Sequence, residues 1–351
     1  MSDMGPRVFV TGATGYIGGD ALFEIAKAHP NWYITCAVRN SDKGTKIAQQ
    51  YPSIKLVHAD LNDVDVIEEA ASKADIVFHF ANCDHEASAK AIVRGLARRT
   101  GNTPGYWIHT SGALILGTET IDRGCWGAEL SQVFDDWNGV DELTSLPDHA
   151  EHRNVDKLVL EASKTYPDKI KTAIVCPPVI FGRGRGPANQ RSIQLYRLTE
   201  AFLTHRRAFM VGRGKNIWNQ VHVQDLSRLY LLLGQAAANN GEPATWDDLG
   251  YYLAESGSFV WKDVIEAVAG EISKQCSMEL RVVEELSPEE ATKLLRGAKY
   301  LIGANCRGTS IRARKLLGWE PREKSLMDEI PAIVEGEATS LGLASLLEPR
   351  Q

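Results

Sequence analysis

The stretch Thr11-Gly12-Ala13-Thr14-Gly15-Tyr16-Ile17-Gly18 constrains the fold more than any other part of the chain. A short apolar run, Arg7–Thr11, stops at it, and a helical pattern, Tyr16–Ala28, starts from it. Strand, glycine turn and helix in that order predict a dinucleotide-binding turn. Gly12 permits the tight turn, Gly15 lets a pyrophosphate approach the backbone, and Gly18 lets the helix pack closely on the strand. The helix start then offers free N–H groups and the positive end of its dipole, so Thr14, Tyr16 and Ile17 join the three glycines as candidate cofactor contacts.

The rest of the first half repeats this strand-helix unit. Apolar runs at Tyr33–Arg39, Ile54–His58, Ile76–Phe80, Tyr106–Thr110 and Lys171–Cys176 lack strict alternation, the pattern of strands buried on both faces. Helical patterns separate them at Asp42–Gln50, Val64–Ser72, Ala87–Arg99 and Ala150–Thr165. The alternation predicts an α/β fold, a doubly wound parallel Rossmann sheet. After Pro177-Pro178 the rhythm changes to a Gly/Arg-rich loop and then longer helices, which predicts a smaller, mainly helical C-terminal lobe. Residues 1–176 are read as the dinucleotide-binding domain and 177–351 as the substrate-binding lobe, with 209–240 returning to the sheet.

A chain of 351 residues with net charge -6 has length for two domains and no global basic character, so a nucleic-acid partner is not expected. The six cysteines form no C-x-x-C pair, so no metal site is expected, and free thiols suit a cytoplasmic protein. Residues 1–6 are too short and polar for a signal peptide, and no apolar run reaches the ~18–20 residues of a membrane span.

Cofactor choice is read at the end of the second strand. An Asp or Glu there would hold a ribose 2′-hydroxyl; the chain has Arg39, whose guanidinium suits a 2′-phosphate. NADP(H) is therefore expected in preference to NAD(H). Asp60 and Leu61 follow the third strand, where Asp60 is placed to accept the adenine amino group.

With these residues in view, the chain resembles the extended short-chain dehydrogenase/reductase superfamily, of the NAD(P)-dependent epimerase/dehydratase-like kind. Phe78-His79-Phe80-Ala81-Asn82 looks like the strand end that passes the nicotinamide, and Cys176-Pro177-Pro178-Val179-Ile180-Phe181-Gly182 is similar to the R-P-x-x-V-Y-G motif. The resemblance thus implies Phe80, Ala81, Asn82, Pro177 and Val179 as further cofactor contacts. Val221–Leu226 looks like F-V-H-V-x-D-L, and Ser310–Pro321 resembles the closing S-x-x-K-A-x-x-x-L-G-W-x-P.

The resemblance breaks at the catalytic centre. The family pattern Y-x-x-x-K falls on Arg153–Lys157: Lys157 would hold the nicotinamide ribose, and Arg153 stands where the tyrosine belongs. The family serine falls on Gly112, with Ser111 one residue early, and a one-residue indel would return Ser111 to that place as a catalytic candidate. Arginine stays charged and cannot be a proton carrier, though it can stabilise an oxyanion. The proton therefore needs another source: water, His149, His152 or His109, or a tyrosine such as Tyr196 or Tyr252. His149, Arg153 and Lys157 share one helix face; His109 and Ser111 share one strand face.

Two charged stretches complete the reading. Residues 117–147 lack a periodic element and are acidic, which is compatible with a solvated loop or a lid. From Arg183 to Lys215 there are eight Lys/Arg against Glu200, and Arg191 and Arg213 are candidate contacts for an anionic small-molecule substrate. The expected function is an NADP(H)-dependent oxidoreductase acting on a carbonyl or alcohol. A cofactor-retaining epimerase, dehydratase or isomerase, and a non-enzymatic dinucleotide sensor, are the alternatives; a homodimer is what the resemblance implies.

Overall fold

The computed structural model describes residues 5–101, 103–280 and 283–343. Seven strands form the main sheet: β1 (Arg7–Thr11), β2 (Tyr33–Val38), β3 (Lys55–His58), β4 (Ile76–His79), β5 (Gly105–Thr110), β6 (Ile170–Cys176) and β7 (Tyr251–Leu253). They run β3-β2-β1-β4-β5-β6-β7, and every pairing is parallel. The order reverses beside β1, the switch point where ligands bind in such sheets.

Both faces of the sheet are covered, which is why its strands read as unbroken apolar runs. Val8, Val10, Ile76, Phe78 and Ile108 enter one core with the helices Tyr16–Ala28 and Val223–Ala238. Phe9, Val77, Trp107 and Ile174 enter the other, with the helices Val64–Ser72, Glu86–Ala97 and Arg153–Thr165. Successive strand residues point to opposite faces, so each core takes alternate positions.

The chain beyond Cys176, expected from its sequence to form the second lobe, also returns to the sheet. Val223–Ala238 packs on the first helix, and β7 extends the sheet next to β6. Tyr251–Leu253 is too short for its periodicity to stand out in the sequence. The lobe holds short strand pairs besides its helices, including Ile217–His222 between Val179–Phe181 and Ser258–Val260. The motifs Val221–Leu226 and Ser310–Pro321 meet there: Asp225 accepts from the backbone N–H groups of Arg322 (2.8 Å) and Glu323 (3.1 Å), and Trp319 Nε1 donates to Asp225 O (2.8 Å). Their work is to join the C-terminal segment to the helix on the sheet.

Candidate active site

The glycine turn has the geometry its sequence predicts. Gly12 has φ +75°, and a Cβ there would lie 2.6 Å from Ala81 N, just past the end of β4. Gly15 N donates to Gly12 O at 2.8 Å, closing the turn, and a Cβ on Gly18 would overlap Gly12 O. The helix starts at Tyr16 with Gly15 as N-cap, no capping side chain and no acid in its first turn. Its first N–H groups are therefore available to an anion. Tyr16 itself turns inward and donates its hydroxyl to Gly182 O at 2.6 Å, so an anion would meet its backbone, not its ring.

The other cofactor candidates gather at the same end of the sheet. Arg39 is exposed directly after β2. Asp60 shapes the turn after β3, accepting from Asn62 N at 2.7 Å, with Leu61 partly buried beside it. Phe80, after β4, packs edge-on to Tyr230 at 4.7 Å; Ala81 and Asn82 follow it. Pro177 O accepts from Ala113 N at 3.0 Å, and Val179 is buried.

A strap lies along the glycine motif. Gly184 meets the Tyr16 ring, where a Cβ would sit at 3.2 Å, and Gly186 meets Gly19, where a Cβ would sit 2.7 Å from its Cα. Between them Arg185 is anchored on the fully buried Asp20: its backbone N and Nη2 reach the carboxylate at 2.7 Å and its Nε at 3.1 Å. Ser227 Oγ adds a bond to Asp20 at 2.6 Å, and Arg185 Nη1 reaches Glu24 at 2.8 Å. Sequence reasoning missed Asp20; its signal is a carboxylate two residues past Gly18 on the face a helix buries.

Next to the end of β5 a histidine stands over a glycine. His152 precedes the helix Arg153–Thr165 with φ +65°, a conformation a side chain adopts only when its surroundings hold it. Its Nδ1 lies 2.9 Å from Asp84 Oδ1 and 3.4 Å from Cys83 Sγ, both in the turn after β4. Its Nε2 faces Gly112, where a Cβ would sit only 2.9 Å away. Burial opposes charge on this imidazole, but the hydrogen bonds to Asp84 and Cys83 outweigh it and push its pKa up to about 11. The same bond holds Asp84 below the usual carboxylate range.

Beneath it, Ser111 Oγ donates to Asp156 Oδ2 at 2.9 Å, and Tyr251 OH reaches the same oxygen at 3.2 Å. Asp156 is fully buried, and desolvation lifts its pKa to about 6. His109 Nε2 lies 3.6 Å from Asp156 Oδ1, and the His109 ring stacks on His79 at 5.4 Å. Burial keeps both rings neutral at physiological pH: it lowers His79 to about 4 and His109 well below the usual value. Asp84 and Asp156 escaped sequence reasoning, because the contacts joining them to His152 and Ser111 are made between separate elements.

The remaining candidates are placed elsewhere. His149 pairs with Asp122 at 3.0 Å on the surface. Arg153 is buried and donates Nη2 to Thr144 O at 2.7 Å. Lys157 Nζ is paired with Asp148 Oδ1 at 2.7 Å and half exposed, so a ribose would have to compete with that carboxylate. The residue of this helix that reaches Ser111 is Asp156, about 100° around from Lys157. Tyr196 donates to Gly182 O at 3.2 Å and Tyr252 to Thr245 O at 2.8 Å, which engages both hydroxyls. Arg191 is held by Glu337 and Glu200 at 2.7 Å, so its guanidinium is already neutralised, whereas Arg213 is exposed in the turn after Ala208–Val211.

The acidic segment 117–147 is a wall, not a free loop. Phe134–Asp135 pairs with Gly308–Thr309, and buried Asp136 accepts from Leu253 N, Ile311 N and Arg312 N at 3.0, 2.7 and 2.8 Å. It also meets the basic stretch, since Lys215 N donates to Gly127 O at 2.9 Å.

Comparison with known proteins fits this geometry. The NmrA-like family model matches residues 4–100, which contain the glycine turn. Over almost the whole chain, oxidase ucsJ from an Acremonium species is 34% identical across 348 residues, covering 97% of this chain and 100% of that protein. The chain belongs to the same family, within the extended short-chain dehydrogenase/reductase superfamily. More distantly, a dTDP-glucose 4,6-dehydratase of Mycobacterium tuberculosis is 25% identical, covering 62% of this chain and 66% of that protein. Among solved structures, UDP-glucose 4-epimerase of Thermotoga maritima with UDP-glucose superposes with TM-score 0.64 at 14% identity, covering 95% of this chain and 99% of that one. dTDP-glucose 4,6-dehydratase of Bacillus anthracis in complex with NAD gives 0.65 at 13% identity, covering 98% and 100%. These structures share the fold of this short-chain dehydrogenase/reductase. Among the described residues no helix is long and apolar enough to cross a membrane.

Proposed function

We propose that this protein is an NADP(H)-dependent oxidoreductase acting on a small-molecule carbonyl or alcohol. The observation that carries the reading is the glycine turn, whose uncapped helix start opens at the switch point of the parallel sheet. The residues present fit a dinucleotide: Gly12, Gly15 and the N–H groups of Tyr16 and Ile17 would hold the pyrophosphate, and Arg39 the adenosine 2′-phosphate. Phe80, Ala81, Asn82, Pro177 and Val179 would flank the nicotinamide. The bound cofactor supplies or accepts hydride at the substrate carbon. The relative named an oxidase supports redox chemistry on this fold. Arg213 is the candidate contact for an anionic substrate group, and the six unpaired cysteines support a cytoplasmic setting.

Binding of NADPH and NADH, followed by nicotinamide fluorescence, tests the reading. NADPH should bind more tightly, and Arg39→Asp should move the preference toward NADH. Failure of both to bind would overturn the dinucleotide site; an unmoved preference would overturn the role of Arg39.

A second reading, an epimerase or dehydratase that retains its cofactor, is favoured by the strap anchored through Arg185 and Asp20 along the glycine motif. It predicts that dinucleotide purifies with the protein and that product forms with no net change in nicotinamide absorbance.

A further inference from the structure

The structure assigns the proton-carrying place of the family tyrosine to His152, with Asp84 as its positioning residue and Gly112 as the gap that admits its ring. This rests on the reading of the cleft as a nicotinamide site and deepens it.

Three observations converge on it. First, His152 holds φ +65° at the helix start, and this strain coincides with a ring held through its Nδ1. Second, both contacts on the loop after β4 fall on Nδ1, with Asp84 Oδ1 at 2.9 Å and Cys83 Sγ at 3.4 Å, leaving Nε2 toward Gly112. A carboxylate on one imidazole nitrogen fixes the tautomer and aims the other nitrogen. Third, Gly112 is one of the two positions on which the family serine can fall, and the closest neighbour of a Cβ there would be His152 Nε2, at 2.9 Å. Even alanine would crowd the ring.

The chemistry balances on this chain's own atoms. In the reducing direction, the carbonyl π bond opens as hydride reaches its carbon. The Nε2–H bond then breaks as the substrate O–H forms, leaving a neutral imidazole. His152 recovers its proton from solvent, to which its side chain is 17% exposed. The titratable and charged groups around the ring are Asp84 and Cys83 after β4, Asp156 and Arg153 on the helix that follows it, and His109 on β5. His109 is neutral, and the contacts with Asp84 and Cys83 favour the charged imidazolium of His152.

Histidine-selective 15N NMR on the protein without added ligand tests the dyad directly. His152 should stay protonated well above neutral pH, and Asp84→Asn should move its titration down by about 2 pH units or more, with Asp84→Glu restoring much of it. Gly112→Ala should displace the His152 ring signals while leaving those of buried His79 in place. A His152 that titrates near ~6.5 in the wild type, or one that ignores Asp84→Asn, overturns the proposal. NADPH-dependent reduction of a quinone and aldehyde panel supplies the catalytic arm. His152→Phe should lose ~10²–10⁴-fold in kcat, the size of a general-acid contribution, with NADPH affinity unchanged, and His152→Gln guards against loss of folding. Retained kcat in either variant overturns the role of His152. If nothing in the panel is reduced, the titration decides the proposal alone. Failure of NADPH and NADH to bind, with the titration as expected, would mark failure of the nicotinamide reading instead.

Discussion

Replacing Arg185 by alanine should loosen the strap and destabilise the protein as a whole. Asp20 is fully buried, and Arg185 gives it three of its hydrogen bonds, one of them from the backbone. Alanine keeps the backbone bond and the bond from Ser227 but removes both guanidinium bonds, the link to Glu24, and the stacking on Phe23 at 4.6 Å. Breaking a buried ion pair by removing one partner costs ~3–5 kcal/mol. The Arg185 side chain is 23% exposed and two of the bonds to Asp20 remain, so a loss of about 2–3 kcal/mol is expected. At ~2–4 °C per kcal/mol, Tm should fall by roughly 4–12 °C in differential scanning fluorimetry, with a matching drop in the urea midpoint. Arg185→Lys should fall between, because an ammonium cannot reproduce the two-pronged contact. Adding Asp20→Asn to Arg185→Ala should recover part of the loss, since no charge is then left buried. In the same variant, trypsin should cut faster at Arg183 and Arg191, and bound NADPH should leave faster. A loss below about 1 kcal/mol with unchanged tryptic cleavage would refute the strap as a fastened element.

Gly12→Ala should abolish dinucleotide binding and lower Tm, because φ +75° and a Cβ 2.6 Å from Ala81 N are both unfavourable; a variant with wild-type NADPH affinity would contradict the turn. Asp156 bears on pH. Its carboxyl is raised to about 6 in the native state, so the native state keeps its proton longer than the unfolded chain, and stability falls as pH rises from about 4 to about 6. Relative to Asp156→Asn, which lacks this titration, wild-type stability should drop by about 2–3 kcal/mol between pH 4 and pH 7 in urea melts; a constant gap would contradict the burial argument. Arg191→Ala should cost stability more than substrate affinity, about 1–3 kcal/mol, because it leaves the buried Glu337 unpaired; a change in KM with unaltered Tm would return Arg191 to the substrate site.

The fold was legible because its determinants are local. An apolar run without alternation means a strand buried on both faces, and TGATGYIG between such a run and a helix leaves a single geometry for Gly12. Arg39 could be named because it directly follows the second strand, whereas Asn82 was named from the family resemblance. The seventh strand, only three residues long, left no such mark.

The catalytic centre was legible only in part, and the reason is angular. One residue along a helix is about 100° of rotation, so alignment on a Y-x-x-x-K pattern pointed to Arg153 and Lys157, while packing turned His152 and Asp156 toward Gly112 and Ser111. Residue types alone nominated His152 as a proton carrier. Only the tertiary structure supplied Asp84, brought to it from a loop 68 residues away, and the empty Cβ position of Gly112 that admits its ring. It also showed that Arg191 is already neutralised by two glutamates and that the acidic segment is stitched down. What the sequence determined by itself was the backbone scaffold, through periodicity and glycine. What the fold decided was which charges meet, because charge pairing depends on distances that neighbours in sequence do not set.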